Sequence, residues 1–180
     1  MEDDYFIDLT VKLSTQTLDI NEVPISCIIT YNNKIISYGY NNTNKDSNPL
    51  AHAEVVALKK LDFNIFNNPE NNKINSLEII NHEELKEIIE PIKFTNNNEF
   101  RIYISCEPCA MCYGILERLP IKTYYACKNN QFGCSNICNL DGGTLLFRKE
   151  AVYNLRKFFL KENVLAPEDK RKSKKNRIFK

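Results

Sequence analysis

"ISCEPCAMC", residues 104 to 112, sets three cysteines at equal spacing around Pro108. An apolar, β-branched run, "FRIYISC" (Phe100 to Cys106), leads into it, and "PCAMCYGILERL" leads out. The first reads as a buried strand. The second reads as a helix, with the proline where a first turn tolerates a missing N–H. Cys109 and Cys112 then share one face of that first turn, where unpaired backbone N–H groups favour thiolates over thiols. Cys106 precedes the helix, and its side chain could face either way. A metal could take two of these sulfurs or all three.

The bulk numbers narrow the setting. A chain of 180 residues, 43% hydrophobic, is one domain or a domain with a tail. No apolar run approaches the roughly 20 residues of a membrane span. The acidic opening, "MEDDYFIDL", reads as neither a secretory signal nor a transit peptide. A soluble protein of the cytoplasm and/or nucleus is expected. Seven cysteines are an odd number in a chain too long for a disulfide scaffold, so the CxxC favours metal or redox chemistry. The net charge of +1 conceals a basic end: seven of the eleven residues from Lys170 to Lys180 are Lys or Arg.

Working outward, Phe6, Leu9, Leu13 and Leu18 mark a helix over about Asp4 to Leu18. "VPISCIITY" (Val23 to Tyr31) and "IISYGY" flank "NNK" and read as a hairpin. "LAHAEVVALKKL" is helical. Residues 62–99 hold ten asparagines and one candidate helix, "NHEELKEIIEPI", and read as a polar surface insertion. "IKTYYAC" is another strand, and "EAVYNLRKFFLKEN" closes as an amphipathic helix with Val152, Leu155, Phe158 and Phe159 inward. A mixed α/β sheet covered by helices on both faces follows.

A catalytic zinc uses three protein ligands and a water, and a structural zinc uses four. The chain has two histidines. His82 lies in the polar insertion and reads as a solvent or helix-start residue. His52 opens the "AHAEVVAL" helix, with Glu54 two residues on. His-x-Glu says little alone, but followed by a distant Pro-Cys-x-x-Cys it is the zinc-deaminase signature. A closed clip of His52, Cys106, Cys109 and Cys112 would exclude water and leave Glu54 idle. In an ideal helix His52 and Glu54 point about 200° apart, so spacing alone does not bring both to one ion.

"VPISCIITYNNKIISYGYN", "AHAE", "EPCAMC" and the stretch from "RKEAVYNLRKFFL" onward resemble the cytidine-deaminase superfamily. Within it they resemble the tRNA-specific adenosine deaminases, nearest to the catalytic subunit of the eukaryotic heterodimer. The resemblance covers roughly 2–61 and 100–175. It implies a cytidine-deaminase-like three-layer α/β/α fold around a mixed sheet of five or so strands, with a zinc-dependent deaminase domain over 1–165 and a basic tail over 166–180. It makes His52, Cys109 and Cys112 the ligands of Zn2+, Glu54 the proton shuttle, and Asn41 a contact to the target base. Cys106 is not a ligand in this pattern. The reaction implied is hydrolytic deamination of adenosine to inosine at the wobble position of tRNA anticodons. "NNQFGCSN" departs from the family in keeping one glycine, and the 62–99 insertion is longer than usual.

The partners implied are a tRNA anticodon stem-loop and a related non-catalytic subunit, with a homodimer as the other arrangement. Lys170, Arg171, Lys172, Lys174, Lys175 and Arg177 are candidate phosphate contacts or a nuclear targeting signal. A free cytidine or deoxycytidylate deaminase would share the zinc motif but has no use for this tail. A non-catalytic zinc subunit would be indifferent to Glu54. Cys127, Cys134 and Cys138 read as packing or surface residues, with a second metal at the last two a remote option.

Overall fold

The structure is a computed structural model and describes residues 2–61, 66, 99–161 and 167–171. Helix α1 (Glu2–Gln16) opens with Glu2, Asp3 and Asp4 in its first turn, carboxylates that suit the positive end of a helix. Strands β1 (Ser26–Tyr31) and β2 (Lys34–Tyr40) form the expected hairpin, with Tyr31 paired to Lys34. Between them Asn32 and Asn33 have φ of 49° and 60°. Asparagine tolerates this left-handed backbone, and such a two-residue turn matches the twist of its strands.

The chain continues through α2 (Ala53–Leu58), β3 (Phe100–Ile104), α3 (Ala110–Leu116) and β4 (Ile121–Tyr125). Then come α4 (Cys134–Ile137), β5 (Thr144–Leu145), α5 (Lys149–Leu160) and a 3-10 turn at Glu168–Lys170. The five strands make one mixed sheet in the order β2-β1-β3-β4-β5. β1 runs antiparallel to both neighbours, while β3, β4 and β5 are parallel. Alternate residues of the strands face opposite layers. Ile28, Tyr38 and Tyr103 pack against Phe6, Leu9 and Leu13 of α1 and Ala151 of α5. Cys27, Ile29 and Ile102 pack against Ala53, Ala57 and Leu58 of α2 and Leu116 of α3. This is the expected three-layer α/β/α arrangement.

Helix α2 lies unusually close to β2, and Gly39 allows it. A Cβ on Gly39 would run into the Ala53 carbonyl oxygen and sit 2.7 Å from Ala57 N. The Ser37 hydroxyl donates to Ala57 O at 2.7 Å, and Lys60 Nζ donates to Tyr38 O at 2.8 Å. These contacts fix the height of α2 over the sheet, and with it His52 and Glu54.

Some boundaries differ from expectation. β1 starts at Ser26 rather than Val23, since Pro24 has no N–H for a ladder. Helix α5 buries Ala151 and Asn154 and half-buries Leu155 and Phe158, a stripe at helical spacing. Phe159 falls off that stripe and is 52% exposed, so it does not face inward. α4 and β5 are additional elements, too short to carry a periodic signal. His82, the candidate helix of the insertion, and Lys172, Lys174, Lys175 and Arg177 lie outside the described residues. No helix among the described residues is long and apolar enough to cross a membrane.

Candidate active site

Two helix starts converge at the carboxyl end of β3. Cys109 caps α3 with an extended backbone (φ −69°, ψ 166°), and Cys112 lies in the first turn. Pro108 therefore stands before the cap rather than in the first helical position. His52 caps α2, also extended (φ −72°, ψ 157°). That cap removes the 200° difficulty, because a residue outside the helix is not bound to the helical wheel. His52 and Glu54 line one cavity.

The His52 Nδ1 lies 3.5 Å from Cys109 Sγ and 3.5 Å from Cys112 Sγ. A tetrahedral zinc with ordinary Zn–S and Zn–N bonds sets sulfur and nitrogen about 3.5–3.6 Å apart. These residues form the one group of three metal-ligating side chains found among the described residues. Cys106 borders the same cavity but is not part of this group: it is 3% exposed, belongs to the core, and its thiol contacts Cys127. The candidate ligand group therefore has three members, and Cys106 is not among them.

The electrostatics also suit a cation. The neighbouring Cys112, then His52, hold the Cys109 thiol down at about 4. Cys112 is driven the other way, first by the adjacent Cys109 and then by burial. The hydrogen bond to Cys109 raises His52. An imidazolium–thiolate pair of this kind is what a metal ion replaces when it binds. Burial pushes the Glu54 carboxyl above its ordinary range, and its side chain touches Cys112.

The cavity has a volume of about 960 Å³ and is lined by His52, Glu54, Cys109 and Asn41 together with Val23 and Ile25. Lys128 to Phe132 and, from α5, Arg156 and Phe159 also line it. Asn41, the expected base contact, thus lines the same cavity as His52 and Glu54. Arg171 is exposed, and Lys170 ends the 3-10 turn. Two buried carboxylates were missed by sequence reasoning. Glu107 accepts from the backbone N–H groups of Asn129 and Ser135, both at 3.1 Å, and so ties down the loop that carries Lys128 to Phe132. Glu22 is fully buried beside Asn41. A charged residue next to a buried strand was the available signal for both. Cys134 is buried 3.9 Å from Glu107, and Cys138 is exposed.

Residues 1–128 match the model of the cytidine and deoxycytidylate deaminase zinc-binding region. The chain belongs to that family. The tRNA-specific adenosine deaminase 2 of Danio rerio is 31% identical over 173 residues, covering 88% of this chain and 71% of that protein. The tRNA-specific adenosine deaminase subunit tad2 of Schizosaccharomyces pombe is 29% identical over 187 residues. That alignment covers 97% of this chain and 41% of the yeast protein, so the chain spans less than half of that relative's length. A solved structure from work on tRNA:A34 deaminases superposes with a TM-score of 0.55 at 16% identity, covering 83% of this chain and 98% of that one. The last is a likeness of fold. The deaminase is a zinc enzyme, and the three-residue group above fits its metal.

Proposed function

We propose that this deaminase converts adenosine to inosine at the wobble position of tRNA anticodons. The observation that carries the reading is a buried carboxyl, Glu54, in the same cavity as a three-ligand metal group. Zinc bound by three protein ligands keeps one position for water and lowers that water's pKa towards about 7. The chain's own contribution is proton traffic. Glu54 takes a proton from the attacking water, delivers it to N1 of adenine, and passes a proton to the departing amine as C6 gains oxygen and ammonia leaves. Burial raises its pKa, which helps it hold a proton between the two transfers. Asn41 contacts the target nucleoside.

A wobble base sits in a single-stranded loop, so turning it into the cavity costs only a few kcal/mol. Lys128 and Arg156 at the cavity, with Lys170 to Lys180, supply positive charge for the anticodon backbone. The protein acts as the catalytic member of a pair with a related subunit, or as a homodimer, and works in the cytoplasm and/or nucleus.

The test is inosine formation by zinc-loaded protein, alone and with a candidate partner subunit, on tRNA and on free nucleosides. Glu54→Ala is expected to keep its zinc and lose turnover; inosine formed by that variant would refute the shuttle. Activity on free cytidine alone would refute the substrate. Deleting Lys170 to Lys180 should flatten the salt dependence of tRNA affinity, and an unchanged slope removes the tail from binding.

A further inference from the structure

Glu22 has no exposed surface, and proton transfer at the metal gives it no task. Burying a charge is costly unless hydrogen bonds satisfy it. Here they do, and they are divided between its oxygens. Oε1 accepts from the Lys45 backbone N–H at 2.8 Å. Oε2 accepts from Asn41 Nδ2 at 2.8 Å and from the Thr43 hydroxyl at 3.5 Å. Asn41 Nδ2 also donates to Thr43 Oγ1 at 2.9 Å.

A carboxamide has a donor end and an acceptor end of nearly the same shape, so an asparagine in a pocket can present either. A carboxylate only accepts. Turning the Asn41 amide round would set Oδ1 against Oε2, two acceptors with no hydrogen between them. Asn41 and Thr43 both line the cavity that holds His52 and Glu54. With its two Nδ2 hydrogens engaged by Glu22 and Thr43, the end of the carboxamide that Asn41 leaves for a substrate is Oδ1, in a set place.

We propose that Glu22 is a positioning residue that fixes which way the Asn41 carboxamide faces, and so sets the hydrogen-bond polarity the cavity presents to the nucleoside. The proposal rests on the reading of this cavity as the deaminase's substrate pocket. Glu22→Gln is its sharpest probe, because the shape is kept. The Lys45 N–H can only donate and keeps the new residue's oxygen. The new NH2 group then faces Asn41, and the amide is driven to reverse.

The experiment uses zinc-loaded 15N-labelled protein and an RNA hairpin with adenosine in its loop. In the native protein the Asn41 side-chain NH2, assigned by its loss in Asn41→Asp, should exchange slowly with solvent. In Glu22→Gln it should exchange about tenfold faster, and KM should rise about tenfold, the cost of one mispaired buried hydrogen bond. kcat and melting temperature should change little. Glu22→Asp, which still only accepts, should keep slow exchange and lie nearer the native KM. Native exchange and KM in Glu22→Gln would overturn the proposal. So would KM losses that track lost melting temperature equally in both variants, since that is a purely structural role. If the native protein deaminates no RNA adenosine, the substrate reading fails, while the exchange comparison still decides what Glu22 does.

Discussion

Adding one methyl group at Gly39 probes how the fold aims the site. The new Cβ would stand 2.7 Å from Ala57 N, where ordinary contact begins at 3.4 Å, and closer still to the Ala53 carbonyl oxygen. Both obstacles are backbone, so no side chain can swing away. Helix α2 must retreat from β2 by about 0.7 Å or more, at a cost of about 1–3 kcal/mol for an overpacked contact. His52 caps that helix and moves with it. Metal–ligand distances tolerate changes of only about 0.2 Å. Gly39→Ala is therefore expected to weaken zinc retention about 10- to 100-fold, the range seen when a ligand loses its support. The assay is zinc transfer to a competing chelator, with deamination and thermal melting followed alongside. Native zinc affinity and turnover in this variant would refute the claim that the β2–α2 contact sets the geometry.

Two further perturbations separate neighbouring roles. Cys112→Ser should abolish stoichiometric zinc, whereas Cys106→Ser should keep it, because Cys106 packs in the core against Cys127. Metal analysis of both proteins checks this. Burial raises the Glu107 carboxyl, but the Ser135 hydroxyl and the Asn129 and Ser135 backbone N–H groups win, and its pKa lies below the ordinary 4.5. Its contribution to stability is thus complete above pH 4.5 and fades as pH falls through the lower folded value. Melting temperature should drop less steeply below that pH in Glu107→Gln than in the native protein.

The candidate ligand set of His52, Cys109 and Cys112 was legible through the resemblance to the deaminase family, since residue type and spacing alone left open whether Cys106 joined it. A cysteine pair at helical spacing, a histidine opening a helix and a glutamate two residues on need no knowledge of the sheet. The hairpin was legible for a similar reason, since Asn32 and Asn33 favour the backbone the turn requires. Cys106 was not legible from spacing, because its direction depends on Cys127, a neighbour across β3 and β4. The joint access of His52 and Glu54 to one cavity was hidden by treating both as helical, when His52 is an extended cap. Glu107 was missed because it acts through backbone N–H groups, which every residue carries, and Glu22 because its partners, Asn41 and the Lys45 N–H, lie about twenty residues on. Phe159 shows the limit of periodicity: one step round the helix separates the half-buried Phe158 from an exposed ring at the cavity.

The orientation of β3 explains where the chain can absorb extra length. The polar insertion rejoins the sheet at Phe100, and Cys106 lies beyond the other end of that strand. At strand rise those two residues stand about 20 Å apart. The described ends of the insertion, Leu61 and Phe100, thus meet in one apolar cluster at the end of β3 opposite the chemistry. The described ends of that segment lie a strand's length from the sulfurs, whereas one residue gained between Ile104 and Cys109 would pull a sulfur out of the three-residue group.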